Sequence, residues 1–244
     1  MRNVRTHQSD RKAILILESP WGLDKSDTNR ASVLPFVEGI AKLAEHTDVF
    51  HANFYDESSF TQALECLCKV KFSSAIMYIA AHGNTELVGG VPISKIIFEI
   101  GSIAARNGVT GLMLGSCFAG GNTTTMEVFL EGTGIRWAAG YGSSASWLEG
   151  TLIDCAIMAQ MLQISDADFS SKEIMVRHFS NAVSVFSEDY VIGEDSNETP
   201  VRLQNAMEFV IQPAGSGYRA KTVTGEVFDQ CADLRISASA DEFE

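Results

Sequence analysis

Before residue 82 the chain changes its apolar periodicity four times, and that alternation constrains the fold more than any other feature. Residues 13–18 (AILILE) form an unbroken apolar run of strand length. Residues 32–45 then space Val33, Phe36, Val37, Ile40, Leu43 and Ala44 along one helical face. Residues 49–55 return to strand character, residues 58–70 repeat the helical spacing through Phe60, Leu64, Leu67 and Cys68, and residues 74–81 are a third apolar run. Parallel strands need crossover connections, and strands covered by helices on both faces are apolar throughout rather than alternating. The order β-α-β-α-β therefore predicts a parallel sheet in an α/β fold.

The pattern continues past residue 82. Residues 84–92, with Gly89-Gly90, predict a hairpin or loop. Residues 93–107 predict a helix with Ser94 as its N-cap and Gly108 as its stop. Residues 110–115 are a fourth strand, 123–130 a short helix and 137–141 a fifth strand, leading into a loop of small residues, 142–146. Residues 147–164 are apolar nearly all round, which predicts a buried helix. Residues 170–190 carry Met175, Phe179, Ala182, Phe186 and Tyr190 at three- and four-residue steps, an amphipathic helix with His178 on its flank. A polar linker is expected at 194–200, then an edge hairpin of two strands around 213–217 within 201–228, then a frayed acidic tail. The whole, 1–244, is expected to be one domain, with its core at about 12–192 and the hairpin and tail at 201–244.

Composition narrows the function. A chain of 244 residues with 45% hydrophobic content can bury the core of one such domain. No run of eighteen apolar residues occurs and the N-terminus is polar, so no membrane association is expected and the protein is placed in the cytoplasm. The formal net charge of −13, without a basic stripe, argues against nucleic acid. Cys66, Cys68, Cys155 and Cys231 have no framework or zinc-knuckle spacing and are expected to be structural thiols of a reducing compartment. No liganding cluster suggests a metal, calcium included, and no cofactor is expected.

Two strand ends carry chemistry. Tyr78-Ile79-Ala80-Ala81-His82-Gly83 and Leu112-Met113-Leu114-Gly115-Ser116-Cys117-Phe118-Ala119-Gly120-Gly121 each end an apolar run in a reactive side chain beside glycine. The interval of 117 − 82 = 35 residues accommodates a crossover helix and a neighbouring parallel strand. Both side chains would then emerge at adjacent carboxyl ends of the sheet, where open α/β folds bind ligands. An imidazole that takes the thiol proton makes Cys117 a nucleophile, and backbone N–H groups beside glycine can approach an oxyanion.

On His82-Gly83, Ser116-Cys117 and the following Gly120-Gly121, the chain resembles the caspase-like cysteine peptidases, a group including caspases, metacaspases, clostripain-like enzymes and bacterial CHAT proteases. The resemblance covers residues 12–165. It implies a three-layer α/β/α sandwich and a cysteine endopeptidase with a His82–Cys117 dyad, the N–H groups of Gly83 and Cys117 forming the oxyanion hole. The implied substrate is a protein or peptide. Short bacterial members also suggest a latent effector of a stress or defence pathway that an activating protein partner switches on by ordering its loops. Basic-specific members carry Asp two residues before the nucleophile, where this chain has Gly115. The substrate pocket is therefore expected from Glu18, Gly115, Tyr141, Ser143 and Trp147, and the preferred side chain stays open.

Two other readings stand beside this one. A catalytically silent scaffold of the same fold would keep the sheet without the chemistry. An α/β-hydrolase with a Cys nucleophile would begin with Gly115-Ser116-Cys117 but requires a later His, of which only His178 qualifies, and Ala119 breaks its motif. A nucleotide-binding module lacks its glycine-rich turn after the first strand.

Overall fold

In the computed structural model of the chain, the described residues are 11–20, 32–44, 47–187 and 189–241. The first half contains β1 (Lys12–Glu18), α1 (Leu34–Leu43), β2 (Thr47–Asn53), α2 (Glu57–Leu67), β3 (Ser74–Ala80), β4 (Leu87–Val88), β5 (Val91–Pro92), α3 (Ile93–Asn107) and β6 (Val109–Gly115). The second half contains α4 (Thr123–Leu130), β7 (Trp137–Tyr141), α5 (Trp147–Met161), α6 (Lys172–Val183), β8 (Val191–Glu194), β9 (Pro200–Arg202), α7 (Leu203–Ala206), β10 (Met207–Ile211), β11 (Lys221–Thr222) and α8 (Thr224–Asp241).

Seven strands form one sheet in the order β11-β10-β7-β6-β3-β1-β2. The five strands from β2 to β7 are parallel, and β10 and β11 add antiparallel at one edge. Alternate residues of each strand feed two cores. Ile14, Ile16, Ile76, Tyr78, Met113, Trp137 and Tyr141 pack with residues of α1, α5, α6 and α8. Leu15, Leu17, Met77, Ile79, Leu112 and Leu114 pack with residues of α2, α3 and α4 on the other face. This is the expected three-layer sandwich, and burial of both faces explains why the strands read as continuous apolar runs.

One irregularity sets the alignment of the central pair. Ala75 pairs with Val109, but Ile76 pairs with Gly111, so the offset between β3 and β6 changes from 109 − 75 = 34 to 111 − 76 = 35 and then stays at 35 through Ala80 and Gly115. Thr110, the skipped residue, is held at the bulge by its Oγ1, 2.7 Å from Ser74 Oγ, and by its carbonyl, which accepts from Arg136 N at 2.7 Å. Gly111 lies against the Trp137 indole, and a methyl group there would stand 2.3 Å from two ring carbons.

The structure corrects several element assignments. The N-cap position of the helix of residues 93–107 is Pro92, which makes no side-chain capping bond, rather than Ser94, and Gly108 closes the helix in the left-handed conformation at φ 76°. The helix of 170–190 is shorter: Asp168–Ser170 form a 3-10 turn, Ser171 accepts from Ile174 N, and α6 ends at Val183. The 194–200 segment is the turn of the β8–β9 hairpin, where the Asp195 carboxylate accepts from the N–H groups of Asn197 and Thr199. The frayed tail is instead α8. Its Val227 and Cys231 are buried and Ser180 Oγ of α6 donates to the Val227 carbonyl at 2.9 Å. Val227, Phe228 and Cys231 meet the core from the early turns of the helix, and tertiary contact supplies most of its stability.

Gly111→Ala is expected to lower stability by about 1–3 kcal/mol, because the added methyl must displace the fully buried Trp137. Urea unfolding monitored by Trp fluorescence would measure it, and a change within experimental error would show that the bulge tolerates a side chain.

Candidate active site

β3 and β6 are central neighbours, and their common offset of 35 carries forward past their last pair, Ala80 and Gly115. His82 and Cys117 differ by the same 35, so the two extensions leave the sheet side by side. The contact at Gly83 bears this out. A methyl group at Gly83 would stand 2.5 Å from the Cys117 carbonyl oxygen, 3.0 Å from Ser116 Cβ and 3.3 Å from Cys117 N. Glycine is needed at 83 because two backbones meet there.

The chain after each residue is folded back tightly. Beyond His82, the β4–β5 hairpin returns so that Gly89 N donates to the His82 carbonyl at 2.8 Å and Asn84 N to the Leu87 carbonyl at 2.9 Å. Beyond Cys117, Phe118 is held at φ 61°, a left-handed conformation unfavourable for a bulky side chain. Its N–H donates to the Ser143 carbonyl at 2.9 Å, and Gly120 N donates to the Tyr141 carbonyl at 2.8 Å. Neither the Gly83 N–H nor the Cys117 N–H donates to a backbone carbonyl among the described residues.

The half-buried Cys117 thiol meets the small-residue loop 142–146. Ala145 N donates to Sγ at 3.4 Å, and Sγ lies 3.8 Å from the Ala145 carbonyl as donor. That loop is clamped from outside. Gly142 N donates to the Ala206 carbonyl, Ser144 N to the Glu194 carbonyl, Ser146 N to the Ile192 carbonyl, and Glu194 N to Ser144 Oγ.

A pocket of about 20 Å3 opens beside the thiol, lined by Gly115, Ser116, Cys117, Tyr141, Trp147 and Asp154 among others. Of the residues expected to bind substrate, Gly115, Tyr141 and Trp147 meet here. Ser143 is itself a buried residue of the loop, its hydroxyl donating to the Ser144 carbonyl at 2.8 Å. Glu18 is 3% exposed and engaged elsewhere, accepting from Ser32 Oγ at 2.7 Å and Val33 N at 2.9 Å, with His51 Nε2 at 2.9 Å. Its carboxylate ties the start of α1 and β2 to the end of β1.

Asp154 escaped the sequence reading. It is the interior acid of the apolar helix α5, 2% exposed, and it accepts from Tyr78 Oη at 2.7 Å and Tyr141 Oη at 2.8 Å. A methyl group at Gly115 would stand 2.4 Å from its Oδ2, so the carboxyl fills the volume that a side chain at 115 would take. Its place on the buried face of α5, unlike Glu149 in the first turn, follows only from the packing of the helix. Burial pushes this carboxyl up to about 7, against the two tyrosine hydrogen bonds, which favour the anion. The geometry accommodates both forms. The Tyr141 hydroxyl has one hydrogen and two acceptors, Asp154 Oδ1 and the Gly150 carbonyl at 3.1 Å. When Asp154 carries the proton it can donate to Tyr141, which donates to Gly150; when it is ionised, Tyr141 donates to Asp154.

His178 lies on α6 and is bonded to the backbone of Gln160, near the far end of α5. Gln160 is 160 − 147 = 13 residues from Trp147, about 20 Å along a helix. His178 is therefore remote from Cys117, as the α/β-hydrolase arrangement would not allow. Burial pushes Cys68 up to about 11 and Cys155 up to about 12, and Cys231 is buried as well, whereas Cys66 is exposed. Among the described residues no cluster of His, Cys, Asp or Glu could hold a metal ion, and no helix is long and apolar enough to cross a membrane.

The Asp154 carboxyl makes stability depend on pH. Its folded pKa lies above the ordinary carboxylate value, so the folded state keeps a proton that the unfolded chain has lost; stability is full below about pH 4, falls as pH rises toward 7 and is level above. Asp154→Asn reproduces the protonated hydrogen-bond pattern. The variant is expected to be more stable than the wild type by on the order of 2–4 kcal/mol at pH 8 and nearly equal to it at pH 4. Denaturant unfolding at both values would measure this, and an unchanged pH dependence would contradict a carboxyl that gains its proton on folding.

The chain matches no protein-family model and no curated protein sequence. Among solved structures it is similar to the crystal structure of the Drosophila initiator caspase Dronc, with a TM-score of 0.45 and 10% identity over 83% of this chain and 80% of that one.

Proposed function

We propose that this protein is a caspase-like cysteine endopeptidase whose dyad is His82 and Cys117. The observation that carries the reading is the packing of Gly83 against the Cys117 backbone, which makes the two motifs neighbours at the carboxyl edge of the sheet. Cys117 Sγ attacks the scissile carbonyl while His82 takes the thiol proton and then delivers it to the leaving amine. Water, deprotonated by His82, releases the acyl group and restores the thiol. The N–H groups of Gly83 and Cys117, free of backbone acceptors among the described residues, are directed to the oxyanion role.

The contact of Ala145 with Sγ supports a latent state within this reading. An N–H group donating to sulfur stabilises it where it is, and a peptide lying on the thiol occupies space that an incoming carbonyl needs. Loop 142–146 must shift for attack, and the clamp from β8 opposes that shift. An activating protein partner that releases the clamp would account for such latency.

The test is mass-spectrometric mapping of cuts in a complex peptide library under reducing conditions. Wild-type cuts, slow while the loop lies on the thiol, are expected to vanish in Cys117→Ala and to fall to near background in His82→Ala; cuts that persist in Cys117→Ala would refute the proposal. Latency has its own readout. A methyl group at Gly193 would stand 2.2 Å from the Ser144 carbonyl, so Gly193→Ala should push the loop off its clamp. Alkylation of Cys117 by iodoacetamide, followed by intact mass against the exposed Cys66 as internal reference, should then speed up severalfold. An unchanged rate would argue that the loop does not restrain the thiol.

A further inference from the structure

A second cavity, of about 440 Å3, lies at the other end of the sheet from Cys117. Ile211 on its floor pairs with Trp137, the first residue of β7, whereas Cys117 follows the last residue of β6. The cavity is therefore at the amino edge of the parallel strands, remote from the candidate dyad. Its volume is in the range of about 300–1,000 Å3 usual for small-molecule sites. Two walls enclose it, the start of α6 and the segment that leads into β11. Ala214 N donates to the Phe169 carbonyl at 2.8 Å and ties the two walls together.

The lining is basic in an acidic protein. Three of its nine residues, Lys172, Arg219 and Lys221, are cationic, although the chain has only 18 basic residues among 244. Glu173 is the one acid among the nine, so the lining carries 3 − 1 = +2 where the whole chain carries −13. The Glu173 carboxylate is already engaged, accepting from Ser171 Oγ at 2.9 Å. Lys221 has no ion pair among the described residues. Arg219 Nε stands 3.9 Å from Glu131 with both side chains exposed, and Lys172 meets Glu226 in a second exposed pair. Such pairs hold their partners weakly, and a multivalent anion competes with them. Lys172 is also the first residue of α6, so the positive end of the helix dipole adds to the same wall.

The apolar part of the lining narrows the anion. Ile211 and Pro213 are buried beneath the cavity, and Tyr218 stands on its rim, 55% exposed. The Tyr218 ring lies against Gly215, whose φ of 125° suits only glycine and where a methyl group would stand 3.1 Å from a ring carbon. The tyrosine is thus supported from one side and open on another, as a stacking platform requires. Inorganic phosphate would use the cations and leave the ring and the floor idle. An acidic peptide adding to the edge strand β11 would need its backbone, but Thr222 N and Oγ1 both donate to Glu127, at 2.7 and 2.8 Å. A planar ring joined to several phosphates uses every part of the lining.

We propose that this cavity binds a nucleoside polyphosphate, with the phosphates on Lys172, Arg219 and Lys221 and the base on Tyr218. The assignment is independent of the chemistry at Cys117.

Isothermal titration calorimetry of the full chain with ATP, tripolyphosphate and adenosine, in the absence of divalent metal, tests it. ATP is expected to bind one per chain, about tenfold or more tighter than tripolyphosphate, with adenosine weaker still. Arg219→Glu and Lys221→Glu, both at exposed positions, should each weaken ATP and tripolyphosphate about tenfold or more. Tyr218→Ala should weaken ATP about tenfold and leave tripolyphosphate unchanged. Absence of binding by either anion, or affinities unmoved in both charge variants, would overturn the site. Tripolyphosphate binding as tightly as ATP, with ATP indifferent to Tyr218→Ala, would overturn the nucleotide as its ligand.

Discussion

Everything at the candidate site depends on the register between β3 and β6. Parallel pairing puts their carboxyl ends together, but pairing alone leaves the alignment of the two extensions undetermined. Carrying the offset of 34 found at Ala75 forward would put His82 level with Ser116; carrying forward the offset of 35 that holds from Ile76 to Ala80 puts it level with Cys117. A one-residue slip also turns every side chain to the opposite face of a sheet. The skipped Thr110 and the space at Gly111 for the Trp137 indole thus set how the two strand extensions align, about six residues further along.

The second layer of control comes from α5. Its buried face packs on Tyr78 and Tyr141, and Asp154 joins these two strands through their hydroxyls. The same helix presents Trp147 at its start and so contributes both base and wall to the pocket. Its exposed Leu148 and Leu152 show that the helix is not buried all round as its composition suggests. Stability, pocket shape and the ionisation of one carboxyl are therefore coupled within a single element, and a change at 115, 141 or 154 touches all three.

Loop 142–146 joins the carboxyl edge of the parallel strands to the late-sequence additions. Ser144 and Ser146 are tied to β8 and Gly142 to the end of α7, segments some fifty or more residues further along. The thiol is consequently sensitive to a part of the chain that carries none of the motifs. The β8–β9 hairpin lies two hydrogen-bonded steps from Sγ, through Ser144 and Ala145.

The layered fold was legible in the sequence because burial on both faces imprints itself locally: strands become short unbroken apolar runs and crossover helices show a 3.6-residue repeat. The runs at 13–18, 74–81, 110–115 and 137–141 match strands to within one or two residues for this reason. The β8–β9 hairpin and α8 were not legible, since polar short strands and a thinly amphipathic helix acquire their structure from contacts with distant segments. Asp154 stayed hidden because nothing local distinguishes an acid aimed at two tyrosines from one aimed at water. The sequence by itself determined the α/β alternation, the two reactive strand ends and the absence of a side chain at 115. Only the tertiary structure decided the register that aligns His82 with Cys117, the peptide that covers the thiol and the carboxyl that lies beneath Gly115, because each of these is a contact between segments whose local patterns carry no record of one another.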